Sequence, residues 1–282
     1  MARRLLLGLI GAGIQLSRTP EMHEREAAAH GLRCLYQLLD LNMIEGGATA
    51  LPSLVEAAER TRFAGLNITY PCKEAVMAHL TALSDDARAV GAVNTVVFDG
   101  AVRAGYNTDW WAFRESFTRG LPGVPLTRVV QLGAGGAGAA TAYAALTMGV
   151  NRLDIIDVVE SRAISLAERL ERQFPGRVFA SRDVVGVTRV ADGVIHATPT
   201  GMASHPGLPL PADVIRDHLW IAEVVYFPLE TDLVRLARAR GCRTLDGSGM
   251  AVWQAVEAFR LFTGLVADPD RMRTFFYEAA VA

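Results

Sequence analysis

The 282-residue chain has no run approaching the roughly 20 uninterrupted apolar residues that a membrane span needs. Nor does it carry an excess of either charge: 28 Lys+Arg stand against 30 Asp+Glu, a formal net charge of −2. Such a balance provides no bulk attraction to phosphate backbones or anionic lipid, so no nucleic-acid partner and no membrane partner are expected. Cysteine is scarce. The three, Cys34, Cys72 and Cys242, lie far apart without a CxxC pair, which argues against a disulfide framework or a zinc knuckle and leaves no metal site in view. Repeats and low-complexity tracts are missing too. One feature imitates an export signal, since Arg3 and Arg4 precede an apolar run over residues 5–10. That run contains Gly8 and leads through Gly11 and Gly13 into Ser17-Arg18-Thr19-Pro20 with no small-residue cleavage pattern, and its length suits a buried strand. A soluble protein of the reducing, cytoplasmic compartment is the expectation.

What the sequence does have is apolar mass, 51% hydrophobic residues against 21% charged, enough for a sizeable core. At roughly 150 residues per domain, the length suggests two domains or one large one. From Leu5 onward strand-like runs alternate with helical stretches, which predicts an α/β fold with a largely parallel sheet. A first unit should hold strands over 5–10, 34–40 and 65–69, helices over 20–30, 51–59 and from about Lys73, and a hairpin over 93–104. Thr19 is placed to cap the helix that Pro20 opens. Residues 121–125, Leu-Pro-Gly-Val-Pro, have the composition of a handover between units. Residues 1–120 are therefore read as one domain and 121–249 as a second, with the last helices, about 250–282, packing back on the first. The second domain should contain strands over 128–132, 153–157, 193–197, 220–225 and 243–245, with helices over 139–148 and 231–240.

Gly133-Ala134-Gly135-Gly136-Ala137-Gly138 matches GxGxxG between a predicted strand and a predicted helix. The chemistry asks for a tight turn at Gly133, a bare backbone at Gly135 where a pyrophosphate can approach, and close helix-to-strand packing at Gly138. Asp157 ends the next apolar strand, where a carboxylate accepts both adenosine-ribose hydroxyls and repels a 2′-phosphate, so the expected cofactor is NAD and not NADP. The competing reading is a glycine-rich turn beside an ordinary surface aspartate; strand, turn, helix, strand and acid in that order favour the nucleotide. Arg162 is read either as stacking on adenine or as solvated.

A second constellation lies in the first unit: Ser17-x-Thr19, Asn67-Ile68-Thr69-x-Pro71-Cys72-Lys73, Asn94-Thr95 and Asn107-Thr108-Asp109. Each polar group borders an apolar run, and strand ends border the ligand crevice of an α/β sheet. With Gly91-Ala92-Val93-Asn94-Thr95, Ala197-Thr198-Pro199-Thr200-Gly201-Met202 and Asp246-Gly247-Ser248-Gly249-Met250-x-Val252-x-Gln254, the chain resembles the shikimate dehydrogenase family nearly end to end, and especially its NAD-dependent quinate/shikimate branch. The resemblance implies an N-terminal α/β substrate domain, a C-terminal Rossmann dinucleotide-binding domain, and reversible hydride transfer between nicotinamide and the ring C3 of a polyhydroxylated cyclic carboxylate, in a monomer or homodimer. Carried over by position, Ser17 and Thr19 would hold the substrate carboxylate, with Tyr226 approaching it, while Asn67, Thr69, Asn94, Asp109 and Gln254 would bind ring hydroxyls. Lys73 would exchange the proton of the reacting oxygen, with Asp109 orienting it. Besides Gly133, Gly135, Gly136, Ala137, Gly138, Asp157 and Arg162, the cofactor would meet Thr198, Pro199, Met202, Val225, Gly247, Met250 and Ala251.

Other residues have plainer readings. Cys72 is a structural or bystander thiol rather than a nucleophile. His23, one helical turn past Thr19, is explained by capping or surface exposure. His196 replaces the family's usual asparagine and has no assigned role, and Glu223 stands where aspartate is common, a smaller departure that would shift pocket geometry. Trp110 and Trp111 would close a core or domain edge, with one ring walling the substrate pocket as the alternative. Met202 and Met250 are core fillers by default and nicotinamide contacts within the motifs. Thr19 in place of a second serine and Asp157-Val158-Val159 in place of Asn-Arg-Thr both point to the NAD-preferring, dual-substrate branch. An aminoshikimate-type paralogue and a non-catalytic NAD-binding regulatory paralogue stay open as alternatives.

Overall fold

The structure, a computed structural model, describes residues 4–278. In chain order the elements are β1 (Arg4–Gly11), α1 (Thr19–Ala29), β2 (Arg33–Asp40), α2 (Leu51–Arg60), β3 (Gly65–Ile68), β4 (Ala82–Leu83), α3 (Asp85–Val90), β5 (Thr95–Asp99), β6 (Val102–Tyr106) and α4 (Thr108–Gly120). Next come β7 (Arg128–Leu132), α5 (Gly136–Thr147), β8 (Arg152–Ile156), α6 (Glu160–Glu171), β9 (Val178–Ala180), α7 (Val184–Arg189) and β10 (Gly193–His196). The chain ends through β11 (Trp220–Glu223), α8 (Asp232–Ala239), β12 (Arg243–Leu245), α9 (Ser248–Thr263) and α10 (Pro269–Glu278). Among the described residues no helix is long and apolar enough to cross a membrane.

The chain divides into two compact units, one of residues up to Thr108 together with those from Val252 on, the other Asp109–Ala251. The division precedes the proline-rich stretch at 121–125 because α4 packs against strands that come later in the chain. Phe113 and Phe117 on that helix are buried, and Phe117 meets Trp220 of β11 edge-on at 4.9 Å between ring centroids.

In the first unit the sheet order is β2-β1-β3-β5-β6-β4. β1 pairs parallel with β2 and β3, whereas β5 runs antiparallel to β3 and β6, so this sheet is mixed and only the other is wholly parallel. The helix expected from Lys73 is instead a short 3-10 turn, Ala75–His79, because Ala82 and Leu83 are drawn into pairing with β6. Helix begins afresh at Asp85, where the Ser84 hydroxyl accepts the Ala87 N–H at 3.3 Å and two aspartates complement the helix N-terminus. Thr19 is not the cap of α1. It is the first helical residue, and its N–H donates to the Ser17 hydroxyl at 3.3 Å.

His23 lies at the centre of this unit and not on its surface. Its ring is wholly buried against Tyr36, Phe259 and Phe262. Nδ1 donates to the Thr19 carbonyl at 3.0 Å, while Nε2 has no hydrogen-bond partner. Burial pushes the pKa down to about 4, against the opposing pull of the Thr19 carbonyl and Glu26. The folded state therefore refuses a proton that the unfolded chain accepts below about pH 6.5. This contribution is fully present above pH 6.5 and is lost as pH falls towards 4, to an extent on the order of 3 kcal/mol. Urea titrations at pH 7, 5.5 and 4.5 should show that His23→Phe flattens this dependence; an unchanged slope would refute the assignment.

In the second unit the sheet order is β12-β11-β10-β7-β8-β9, all parallel. Val130, Val194, Ile221 and Leu233 form part of its buried core. The strand order reverses beside β7, the place where an open parallel sheet offers a ligand crevice at its carboxyl ends.

Candidate functional site

The first unit gathers its singled-out polar residues at one end of its sheet. β1 and β3 terminate there, β5 starts there with Thr95 opposite Asn67, and β6 terminates there with Tyr106 opposite Thr95. That register brings together Asn67 and Thr69, Asn94, and the Asn107-Thr108 turn. Lys73 joins them through its carbonyl, which accepts the Val93 N–H at 2.8 Å, and its side chain is half-buried. The N–H of Thr69 donates to the Ile10 carbonyl at 2.9 Å, tying it to the end of β1 from which the loop carrying Ser17 and Thr19 departs. Both hydroxyl residues are half-buried, as is Gln254 on α9.

The two asparagines are largely framework. Asn67 Oδ1 accepts from the Tyr36 hydroxyl at 2.7 Å, and its Nδ2 donates to Thr95 Oγ1 at 3.2 Å and to the Asn94 carbonyl at 3.4 Å. Asn94 Oδ1 accepts the Thr108 N–H at 2.7 Å, and Nδ2 donates to Thr108 Oγ1 at 2.9 Å. By donor and acceptor count, a ligand finds one lone pair at Asn67 and one N–H at Asn94. Asp40, which the sequence did not single out, shapes the loop towards Ser17. Its carboxylate accepts the Gly13 N–H at 2.9 Å, the Ile14 N–H at 3.2 Å and Gln15 Nε2 at 3.0 Å. The Gln15 bond leads the interactions that hold its pKa below the usual carboxylate value.

In the second unit Asp109, the second residue of α4, is buried. The glycine-rich turn meets the steric demands of a dinucleotide. Gly133 has φ +101°, and a Cβ there would lie 2.5 Å from the Ala197 carbonyl oxygen; a Cβ on Gly138 would lie 2.2 Å from the Gly133 oxygen. A Cβ on Gly135 would face open space, at the N-cap of the twelve-residue α5, whose first residues are Gly136 and Ala137. Bare backbone at a helix N-terminus fits a pyrophosphate. Gln131 buckles the turn from below, donating through Nε2 to the Gly133 and Gly138 carbonyls at 3.0 and 2.7 Å while its Oε1 accepts from Thr141 at 2.9 Å.

Asp157 comes directly after β8, and its carboxylate accepts the Ala134 N–H of the glycine turn and the Val159 N–H, both at 2.8 Å. Arg162 is exposed in the first turn of α6. Across β7, Thr198 is half-buried and Pro199 exposed beyond the end of β10. Val225, Gly247 and Met250 are buried, Ala251 is half-buried and Tyr226 is exposed. Met202 is 40% exposed and is no core filler, whereas Met250 is buried.

His196 is wholly buried and hydrogen-bonded to Glu223. The sequence did carry a signal for such residues: Gln131, His196 and Glu223 are polar side chains in otherwise apolar strand runs. Burial leads the effects that raise all three thiols, Cys34 to about 12, so none is poised as a nucleophile. Among the described residues, no group of three His, Cys, Asp or Glu side chains is arranged to hold a metal ion.

Comparison with known proteins places these features in company. A family model described as the shikimate dehydrogenase substrate binding domain matches residues 9–96, and one described as the shikimate 5'-dehydrogenase C-terminal domain matches residues 247–274. The chain is 55% identical over 271 residues to the shikimate dehydrogenase (NADP(+)) of Streptomyces avermitilis, covering 95% of this chain and 92% of that protein. It is 46% identical over 277 residues to the quinate/shikimate dehydrogenase (NAD(+)) of Corynebacterium efficiens, covering 96% and 97%. Among solved structures, quinate dehydrogenase from Corynebacterium glutamicum in complex with NAD superposes with a TM-score of 0.92 at 45% identity, covering 98% of this chain and 99% of that one.

Proposed function

The chain belongs to the shikimate dehydrogenase family and is a pyridine-nucleotide oxidoreductase of the shikimate/quinate type; within that family, we propose that it oxidises the C3 hydroxyl of quinate or shikimate with NAD, reversibly. The observation that carries the cofactor choice is Asp157. Its carboxylate sits just past β8, hydrogen-bonded to the glycine-turn amide of Ala134, where a fixed negative charge suits two ribose hydroxyls and opposes a 2′-phosphate. The Corynebacterium glutamicum neighbour, solved with NAD, supports the same choice, whereas the name of the Streptomyces relative favours NADP.

Ser17 and Thr19 hold the substrate carboxylate through their hydroxyls, and Tyr226 approaches it. Thr69, Gln254 and the remaining valences of Asn67 and Asn94 receive ring hydroxyls. The Gly133–Gly138 turn holds the pyrophosphate, with Asp157 and Arg162 at the adenosine end. Thr198, Pro199, Met202, Val225, Gly247, Met250 and Ala251 serve the nicotinamide end. A nicotinamide held there would supply the acceptor for the hydride leaving C3. Through its amine nitrogen Lys73 takes the hydroxyl proton as the C–O bond becomes a carbonyl, and in the reverse direction it returns that proton. Asp109 orients the Lys73 amine and accepts a hydrogen bond from a neighbouring ring hydroxyl.

Steady-state kinetics with quinate, shikimate and aminoshikimate, each with NAD and NADP, test the reading. The expected result is turnover of quinate or shikimate with the higher kcat/KM for NAD. A higher value for NADP overturns the cofactor choice, preference for aminoshikimate overturns the substrate choice, and no turnover with any pair overturns the catalytic reading.

A further inference from the structure

His196 and Glu223 are register partners on the neighbouring parallel strands β10 and β11, and both side chains are wholly buried. A carboxylate in such a place costs free energy unless hydrogen bonds surround it. Glu223 obtains them from three separate segments. Oε1 accepts from His196 Nδ1 at 2.8 Å and from the Val225 N–H at 2.9 Å, and Oε2 accepts from the Thr231 hydroxyl at 2.9 Å. Thr231 is itself the N-cap of α8, accepting the Val234 N–H at 3.2 Å. The far side of the imidazole, Nε2, meets Thr198 Oγ1 at 2.5 Å, and the same hydroxyl accepts the Thr200 N–H at 3.2 Å.

One buried carboxylate thus fixes, directly or through His196, two places beyond the ends of β10 and β11: the Thr198 hydroxyl and the Val225 amide. The imidazole has no exposure through which to meet a ligand, so whatever it does it does through Thr198. The sheet order sets the direction of that influence. β10 and β11 lie on one side of β7, while β8 and Asp157 lie on the other. Thr198 and Val225 therefore border the part of a bound dinucleotide remote from its adenosine.

We propose that His196 and Glu223 are positioning residues for the nicotinamide end of the cofactor, holding the Thr198 hydroxyl and the Val225 backbone in the one arrangement that receives it. This rests on the assignment of the second unit to a pyridine dinucleotide, but not on the choice between NAD and NADP.

Calorimetric titration of the full chain with NAD and with ADP-ribose, which has the same adenosine diphosphate and ribose but no nicotinamide, separates the two ends. Glu223→Gln weakens the anchor, and Thr198→Val removes only the hydroxyl it presents. Each should raise the Kd for NAD by about tenfold, the scale of one lost hydrogen bond, and leave that for ADP-ribose within about twofold. His196→Gln, which keeps an acceptor for Thr198 and a donor for Glu223, should retain more of the NAD affinity than His196→Leu.

A merely structural role would lower both affinities together or change only Tm, and either result overturns the proposal. So does an unchanged Kd for NAD in Thr198→Val, the variant that decides the matter should Glu223→Gln fail to fold. If NADP is the tighter ligand of the unaltered chain, NADP and 2′-phospho-ADP-ribose replace the two probes. If the unaltered chain binds neither dinucleotide, the functional assignment fails and this proposal falls with it.

Discussion

Lys73→Ala is expected to lower kcat with quinate or shikimate by about 10²–10⁴-fold, the range over which a positioned acid–base group acts. NAD affinity measured by calorimetry should change by less than about twofold, because the lysine belongs to the proton path and not to the dinucleotide cradle. The loss should appear equally in kcat and kcat/KM, as for an interaction made only in the transition state. Lys73→Arg should not restore activity, since a guanidinium keeps its proton throughout the accessible pH range and cannot act as the base for oxidation. An alanine variant with the parent's turnover would remove Lys73 from the mechanism.

The second large effect concerns stability. Glu26 on α1 is wholly buried and forms a bidentate pair with Arg271 of α10, both bonds at 2.6 Å, while also accepting the Asp268 N–H at 2.9 Å and pairing with His30 at 3.1 Å. Burial pushes the carboxyl pKa up, yet the Arg271 and Asp268 hydrogen bonds, the Arg271 charge and His30 together hold it below its ordinary value. Arg271→Leu should therefore destabilise the fold by about 3 kcal/mol at pH 7, the lower end of what breaking a buried pair costs, because Arg271 is itself partly exposed and His30 stays.

The pH dependence of this pair has a definite sign. In the parent, the depressed carboxyl contributes stability above its unfolded pKa near 4.5, and that contribution is lost as pH falls through the lower folded value. Without Arg271, burial dominates and the carboxyl takes up a proton more readily, so the gap between variant and parent should narrow towards pH 4. Glu26→Leu combined with Arg271→Leu should be less damaging than Arg271→Leu alone, since no charge is then left stranded. Urea unfolding of the parent and the two variants at pH 7 and pH 4 checks both statements, and a double variant worse than the single one would contradict them.

Much of this architecture was legible in the sequence because the signals were local. Residues 128–132 and 243–245 form strands with the expected limits, since an apolar run bounded by turn residues has few alternatives at that length. The first strand and the helix over 51–60 differ from expectation by one or two residues at their ends. What was hidden depends on partners distant in sequence. The helix expected from Lys73 yields to β4, which exists only because β6 is available to pair with it. β9, three residues long, has too little sequence to announce itself and is defined by pairing with β8.

The candidate site shows the same divide. Every singled-out glycine of the 133–138 turn could be read from its spacing. The hydrogen-bond braces behind the sites, Asp40, Gln131 and Glu223, required knowing which loop each carboxylate or amide would face. The expectation of capping or exposure for His23 fails because a histidine one turn into a helix says nothing about which face is covered; Phe259 and Phe262, which pack on it, lie more than 230 residues further along.

The make-up of the first unit has a consequence for how the chain matures. That unit needs residues from Val252 onward, whereas the second is one continuous segment, Asp109–Ala251. The nucleotide-binding part therefore has all its residues once Ala251 is available, while α1 still lacks α10 and Glu26 has no Arg271 to meet until the segment after Val252 has followed. A released chain truncated after Ala251 should then present a protease-resistant dinucleotide-binding core joined to a protease-sensitive N-terminal part.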